Sequence, residues 1–288
     1  GMAASVSHDG DGIHGGRFIA AAISLAFETD DVAEIIDAAL SVIPSDCEYA
    51  RVVKAVIDFH RKNPADFRAC MDFLTAGFGY DRYPGVCHII PNAGVCILSM
   101  LYGAGDLSRS VEIATMCGWD TDCNAGNVGT IIGVAGGLAG VADRYRAPMN
   151  DFFACSSIAG SLNIVDLPTF AKQMALLGLR GNPESGDETD AEKSDRAGLE
   201  AYLQATTGYR ELHFDFALSG STHGFRSDSN ALTLKNVRIE SGGALEILVD
   251  RLLRGSASGV FFKPFYRRED FDDERYSPAF SPLVHPGQ

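Results

Sequence analysis

The hydrophobic period of this chain changes once, near Tyr209, and that change limits the folds open to it. Ahead of it, apolar residues recur at helical steps, as in Val32, Ile35, Ile36 and Ala39, or Val52, Val53, Val56 and Phe59. Beyond it they alternate. Leu212, Phe214, Phe216 and Leu218 are interleaved with His213, Asp215 and Ala217; Leu232, Leu234, Val237 and Ile239 repeat the pattern, and Leu245, Ile247 and Val249 follow Gly242-Gly243. A period of 3.6 places a stripe on one side of a helix, and a period of two faces one side of a strand toward a core. The chain is therefore read as an α+β protein of two domains, a helical one followed by a small antiparallel β-sandwich-like one.

Helix signals place the first domain at residues 1–180. An Ala-rich helix is expected over 14–27, opened by the turn Asp9-Gly10-Asp11-Gly12, and another over 31–42. Ser45 and Glu48 are spaced as a capping box, and Asn63-Pro64 as an N-cap and first-turn proline opening a helix over 65–78. Helices over 92–102 and 107–116 follow, then a glycine-rich one after Asp122, and one capped by Asp166-Leu167-Pro168 that stops at Gly178. Residues 181–206 read as an acidic linker, with Gly181 to Glu188 free of apolar residues, and a short helix over about 197–205. Residues 207–288 form the β region, expected to be incomplete because no closing strand precedes Pro286-Gly287-Gln288 and an open edge would be left.

Composition narrows the function classes. The net charge of −14 and pI near 4.8 argue against nucleic acid, since a phosphate backbone is met by clustered Lys and Arg, and the nearest approach to a cluster is Arg267-Arg268. Mean hydropathy is +0.02, the balance of a globular protein with a core. The charge-free run 125–142 holds six glycines with Asn127 and Thr130, which suits a close-packed buried helix and not a membrane span. The seven cysteines (47, 70, 87, 96, 117, 123 and 155) form no CxxC pair and lie mostly in apolar helical runs, so buried reduced thiols are expected. With no basic segment and apolar stretch at the start, a cytoplasmic location is expected.

The segment Gly118-Trp119-Asp120-Thr121-Asp122-Cys123-Asn124-Ala125 carries the most chemistry. Two carboxylates two residues apart at a turn into a helix can direct hard oxygen donors at one divalent cation, with Thr121 between them. The same residues could equally cap the glycine-rich helix and complement its dipole. His8, His88 and the loop 219–225 are read as structural, and no nucleophile elbow is present.

This segment resembles the C-terminal signature of the ADP-ribosylglycohydrolase family through Gly118, Asp120, Thr121, Asp122, Ala125 and the glycines at 126, 129 and 133. Ser7-His8-Asp9 before an Ala-rich helix, and His88-Ile89-Ile90-Pro91-Asn92-Ala93 with the residues 98–106, are similar to further family segments. The resemblance covers residues 3–180 and implies an all-α orthogonal bundle in which two Mg²⁺ ions help hold ADP-ribose. It implies Asp120 and Asp122 as metal ligands and Thr121 and Asn124 as substrate contacts. Cys123 stands where the family has Thr or Ser as a further ligand, and a neutral thiol serves a hard cation poorly, so one metal coordinates differently or the site is weaker.

The family's N-terminal Gly-Asp, acidic and Thr-Asp-Asp segments have no counterpart ahead of Ser7, so an N-terminally truncated family domain is expected. Thr29-Asp30-Asp31 has the right letters in the wrong place, and Thr29 or Asp30 is expected to cap the next helix. Two functions stay open: an Mg²⁺-dependent glycosidase acting on ADP-ribose or an ADP-ribosylated protein, and an inactive fragment or binding module for a metal or nucleotide-sugar.

Overall fold

The computed structural model describes residues 1–149, 152–154, 164–180, 190–207, 214, 216, 222, 225–239, 242–251 and 253–262. The chain divides into two compact units, Gly1–Ala142 and Asp143–Gln288. The first contains seven α-helices among its described residues: α1 (Gly10–Leu25), α2 (Val32–Ser41), α3 (Glu48–Lys62), α4 (Phe67–Phe78), α5 (Ile89–Gly103), α6 (Leu107–Met116) and α7 (Thr121–Gly136).

Helix α5 is the axis of this unit. Residues 90–100 are buried without a break, and α1, α2, α3, α4, α6 and α7 all pack on it. A helix apolar on every side must be enclosed, and this one is. Close approach depends on two glycines. A Cβ on Gly94 would lie 2.6 Å from Leu74 of α4, and one on Gly103 would lie 2.8 Å from the Ser110 backbone of α6. Phe18, Ile35, Ile36, Tyr49, Leu74, Ile97, Leu98, Ile113 and Ile131 complete a single core around it.

The helix starts are set by side chains, and they move several expected boundaries. α3 is capped by Cys47, whose Sγ accepts from Ala50 N at 3.4 Å, and not by a Ser45–Glu48 box. Glu48 is taken instead by Arg51 and by the Tyr83 hydroxyl, which ties α3 to the loop ahead of α5. Asn63 closes α3 through Phe59 O, and Asp66, accepting from Arg68 N and Ala69 N at 3.0 Å, opens α4 at Phe67, two residues later than expected. His88 Nδ1 accepts from Ile90 N at 3.2 Å, so α5 starts at Ile89, with Pro91 in the first turn where a missing N–H leaves nothing unpaired. Asp31, and neither Thr29 nor Asp30, caps α2, accepting from Ala33 N and Glu34 N. α1 begins at Gly10, inside the expected turn.

In the second unit, α8 (Asp143–Met149) precedes a ribbon of β1 (Phe152–Ala154) with β2 (Ile164–Asp166), three-residue strands too short to show an alternation in the sequence. α9 (Leu167–Arg180) and α10 (Asp190–Thr207) pack together. α10 reaches well into the polar stretch, where Lys193 and Asp190 pair at 3.6 Å; Gly181 to Glu188 lie outside the described residues. β4 (Leu232–Ile239) and β5 (Gly242–Val249) form an antiparallel hairpin, and β3 (Arg226–Ser227) pairs with β6 (Val260–Phe261). Gly242 and Gly243 belong to the paired strand and not to the turn, facing Ile239 and Arg238. Phe214, Phe225 and Phe262 meet at centroid distances of 4.9–5.5 Å, a small aromatic core of the β region. Leu212, Leu218 and most of the 219–225 loop lie outside the described residues. No helix among the described residues is long and apolar enough to cross a membrane.

Two substitutions test the packing of α5. Gly103→Ala, which has no room against Ser110, is expected to destabilise the protein by about 1–3 kcal/mol. Ala104, exposed and left-handed at φ 51°, ends α5 in a conformation that favours glycine, so Ala104→Gly is expected to stabilise by about 1 kcal/mol. Urea midpoints for both variants check the pair.

Candidate metal centre at the start of α7

The turn from α6 into α7 passes through two consecutive left-handed residues, Gly118 at φ 75° and Trp119 at φ 58°. Glycine adopts this conformation freely, whereas a bulky aromatic residue does so only when its surroundings hold it. Trp119 is held by its contact with the core and by Tyr80, whose ring meets it edge-on at 5.3 Å and 86°.

Behind the turn lies a buried polar seam. Asn92 on α5, 6% exposed, donates from Nδ2 to the Tyr80 hydroxyl at 3.0 Å and to His88 O at 2.9 Å. Its Oδ1 accepts from Asn124 Nδ2 at 2.8 Å and, at 3.4 Å, from Asp120 N. Asn124, 1% exposed, in turn accepts at Oδ1 from Cys96 Sγ at 3.6 Å. Buried amides are retained only when their donors and acceptors are matched, and here the matching fixes the first turn of α7 on α5. Asn124, expected at the substrate, thus has its side chain inside this seam.

Asp120 occupies the N-cap position of α7, and its backbone carbonyl accepts the first helical bond, from Asn124 N at 2.9 Å. Its carboxylate makes no capping bond. An aspartate at an N-cap ordinarily accepts from an amide of the first turn, so the helix-capping reading of the acidic pair fails at Asp120. The carboxylate is directed instead at sulfur and at its acidic neighbour. One donor atom each from Asp120, Asp122 and Cys123 lies within 4.8 Å of the others, with Asp120 half-buried and the other two exposed. Thr121, half-buried, lies between the two acids as the first residue of α7.

A second thiol comes to the same place from the facing loop. Cys87, left-handed at φ 56° and exposed, stands beside Asp120. Partial desolvation and then the Asp120 carboxylate, with Asp122 beyond it, push its thiol above the usual value. Cys123 is raised chiefly by its hydrogen bond to Asp120 and by that residue's charge, then by desolvation, with Asp122 and Cys87 adding smaller effects. Both effects favour the protonated thiol. The expectation of buried thiols holds for Cys70, Cys96 and Cys117, which burial pushes up to about 12, 12 and 11, but not for Cys87 or Cys123; Cys155 lies outside the described residues. Nothing in the sequence joined Cys87 to the acidic pair, although its place in a polar loop set it apart from the cysteines of the helical runs.

The candidate donor set is mixed. Two carboxylates suit any divalent cation with an oxygen preference. The thiol at Cys123 does not suit a hard one. His8, assigned a structural role, is exposed and pairs through Nδ1 with Ser7 Oγ at 2.7 Å.

A family model described as ADP-ribosylglycohydrolase matches residues 1–183. No curated protein and no solved structure matches the chain. The match takes in the whole first unit and the Asp120-Thr121-Asp122 turn, and covers more than half of the sequence. The chain belongs to the ADP-ribosylglycohydrolase family.

Proposed function

We propose that this protein is a metal-dependent hydrolase that cleaves a glycosidic bond at the ribose anomeric carbon of ADP-ribose or of an ADP-ribosylated protein. The observation that carries the reading is the Asp120 carboxylate at the start of α7, which makes no capping bond and has a donor atom within 4.8 Å of one from Asp122. Asp120 and Asp122 would hold the cation, which the family resemblance gives as Mg²⁺. A bound divalent cation would fix ribose and diphosphate oxygens and offset charge at the reacting carbon. Thr121, between the acids, is assigned to substrate contact. Asn92 and Asn124 act by position, holding the first turn of α7 so that both carboxylates face one point.

The helical portion, residues 1–180, is the part assigned to catalysis, and the β region, 207–288, is assigned to a separate sandwich-like module, supported by its alternating pattern and its aromatic core. Cleavage also calls for a general acid or base. The thiol at Cys123 favours a second reading, a module that binds a metal or nucleotide-sugar without hydrolysis.

Calorimetry with Mg²⁺ and ADP-ribose, followed by a hydrolysis assay on an ADP-ribosylated protein, separates the two. Wild type is expected to bind and turn over, and Asp122→Ala to lose at least about tenfold in both, the loss of one charged metal ligand. Binding without turnover would leave the module reading, and no binding would remove both. Asn92→Leu, which touches no ligand, is expected to cost about 1–3 kcal/mol of stability by leaving the Asn124 amide buried without its acceptor. Thermal unfolding measures that cost, and the same variant should bind cation more weakly.

A further inference from the structure

Two arginines meet over one ring at the opposite end of α6 from the acidic turn. Arg68, in the first turn of α4, holds its guanidinium carbon 4.7 Å from the centroid of Phe67. Arg109, in the first turn of α6, holds its own 5.6 Å from the same centroid. The ring is a fixed support, since Phe67 is 7% exposed and belongs to the core, whereas both arginines are exposed. Stacking on an aromatic face orients a guanidinium plane without consuming its N–H donors. We propose that Arg68 and Arg109 form a binding site for a phosphate or diphosphate group, separate from the acidic turn and independent of the hydrolase reading.

The chain has 38 acidic residues against 24 basic ones, so a carboxylate partner is the default for an arginine. Arg51 has Glu48, and Arg61 has Asp58. Among the described residues Arg68 and Arg109 enter no ion pair, although Asp66 and Asp106 stand two and three residues before them. Those carboxylates are turned back on their own helices. Asp66 Oδ1 accepts from Arg68 N and Ala69 N at 3.0 Å, and Asp106 Oδ1 accepts from Arg109 N at 2.6 Å. Two guanidinium forks are thus left facing solvent at one place. Their carbons are no farther apart than the two ring distances together, 10.3 Å. With N–H···O distances of about 2.7–2.9 Å on each side, a phosphate or diphosphate group spans that gap. A phosphate also offers three acceptor oxygens and close to one negative charge per fork, whereas a carboxylate has two oxygens and is satisfied by a single arginine.

Inorganic pyrophosphate is the probe, titrated calorimetrically into the full-length protein at low salt and without divalent cations, so that the acidic turn can only repel it. Wild type is expected to show saturable binding of one anion per chain, weakening as salt is raised. Arg68→Gln and Arg109→Gln should each weaken it roughly tenfold, and the double variant should abolish it. Lysine at both positions keeps the charge and loses the fork, and should still weaken binding several-fold. Arg61→Gln removes an arginine that already has a carboxylate and should change nothing. Circular dichroism confirms that each variant is folded. A second titration with ADP-ribose identifies the source of the group. The same dependence on Arg68 and Arg109 would support a nucleotide-sugar diphosphate, and binding of pyrophosphate alone would support a free anion. No binding of pyrophosphate at millimolar concentration by folded wild type would overturn the proposal. So would binding that survives in the double glutamine variant, or an equal loss in Arg61→Gln. Turnover in the presence of a metal tests the hydrolase reading, and either can fail while the other stands.

Discussion

The hydrogen bond from Asn124 to Asn92 joins the first turn of α7 to the most deeply buried helix of the unit, and the acidic turn takes its position from that joint. Asn92 lies on α5 among Pro91, Ala93 and Gly94, all buried, so it cannot shift without moving the core. Its amide serves Tyr80, His88, Asp120 and Asn124 together. Through Tyr80 the same residue supports Trp119, whose left-handed backbone aims Asp120 away from the helix it would otherwise cap. Local strain of this kind persists where surrounding packing over-determines it, and here the Tyr80, Asn92 and Asn124 side chains do so.

The mixed donor set follows from how the loop ahead of α5 is fastened. Glu48 and Arg51 of α3 hold Tyr83, Tyr83 stacks on Phe78, and the His88 ring lies 5.4 Å from that of Tyr83. Cys87 is carried between these anchors to the edge of the acidic turn. Its exposure is thus a consequence of fixed neighbours on both sides.

Much of the helical unit could be read in the sequence because its information is local. Periodic apolar residues marked α2 and α3, and the Asp-Thr-Asp spacing with the glycine-rich helix marked the turn at the start of α7. Boundaries were less legible where two capping signals competed. Asn63 and Asp66 are both good caps, and only the bond from Asn63 to the end of α3 shows which opens α4. The Ser45–Glu48 spacing misled because Tyr83, 35 residues away, takes the glutamate. Cys87 and Asn92 escaped for the same reason: their partners are 33 and 32 residues distant, and no periodicity records such a meeting. Short strands such as β1 and β2 leave no alternation to detect.

Helix α6 is bounded by the same backbone reversal at both ends, Ala104-Gly105 before it and Gly118-Trp119 after it. It is a strut of ten residues, about 15 Å long at the usual rise, set between two left-handed bends. The phase of everything that follows is therefore set by how many residues it contains. One residue added or removed would rotate the second bend by about 100° about the strut. The acidic pair would then leave the face shared with Cys87, although every residue of the turn would be unchanged. The length of α6 is in this sense part of what places the acidic turn.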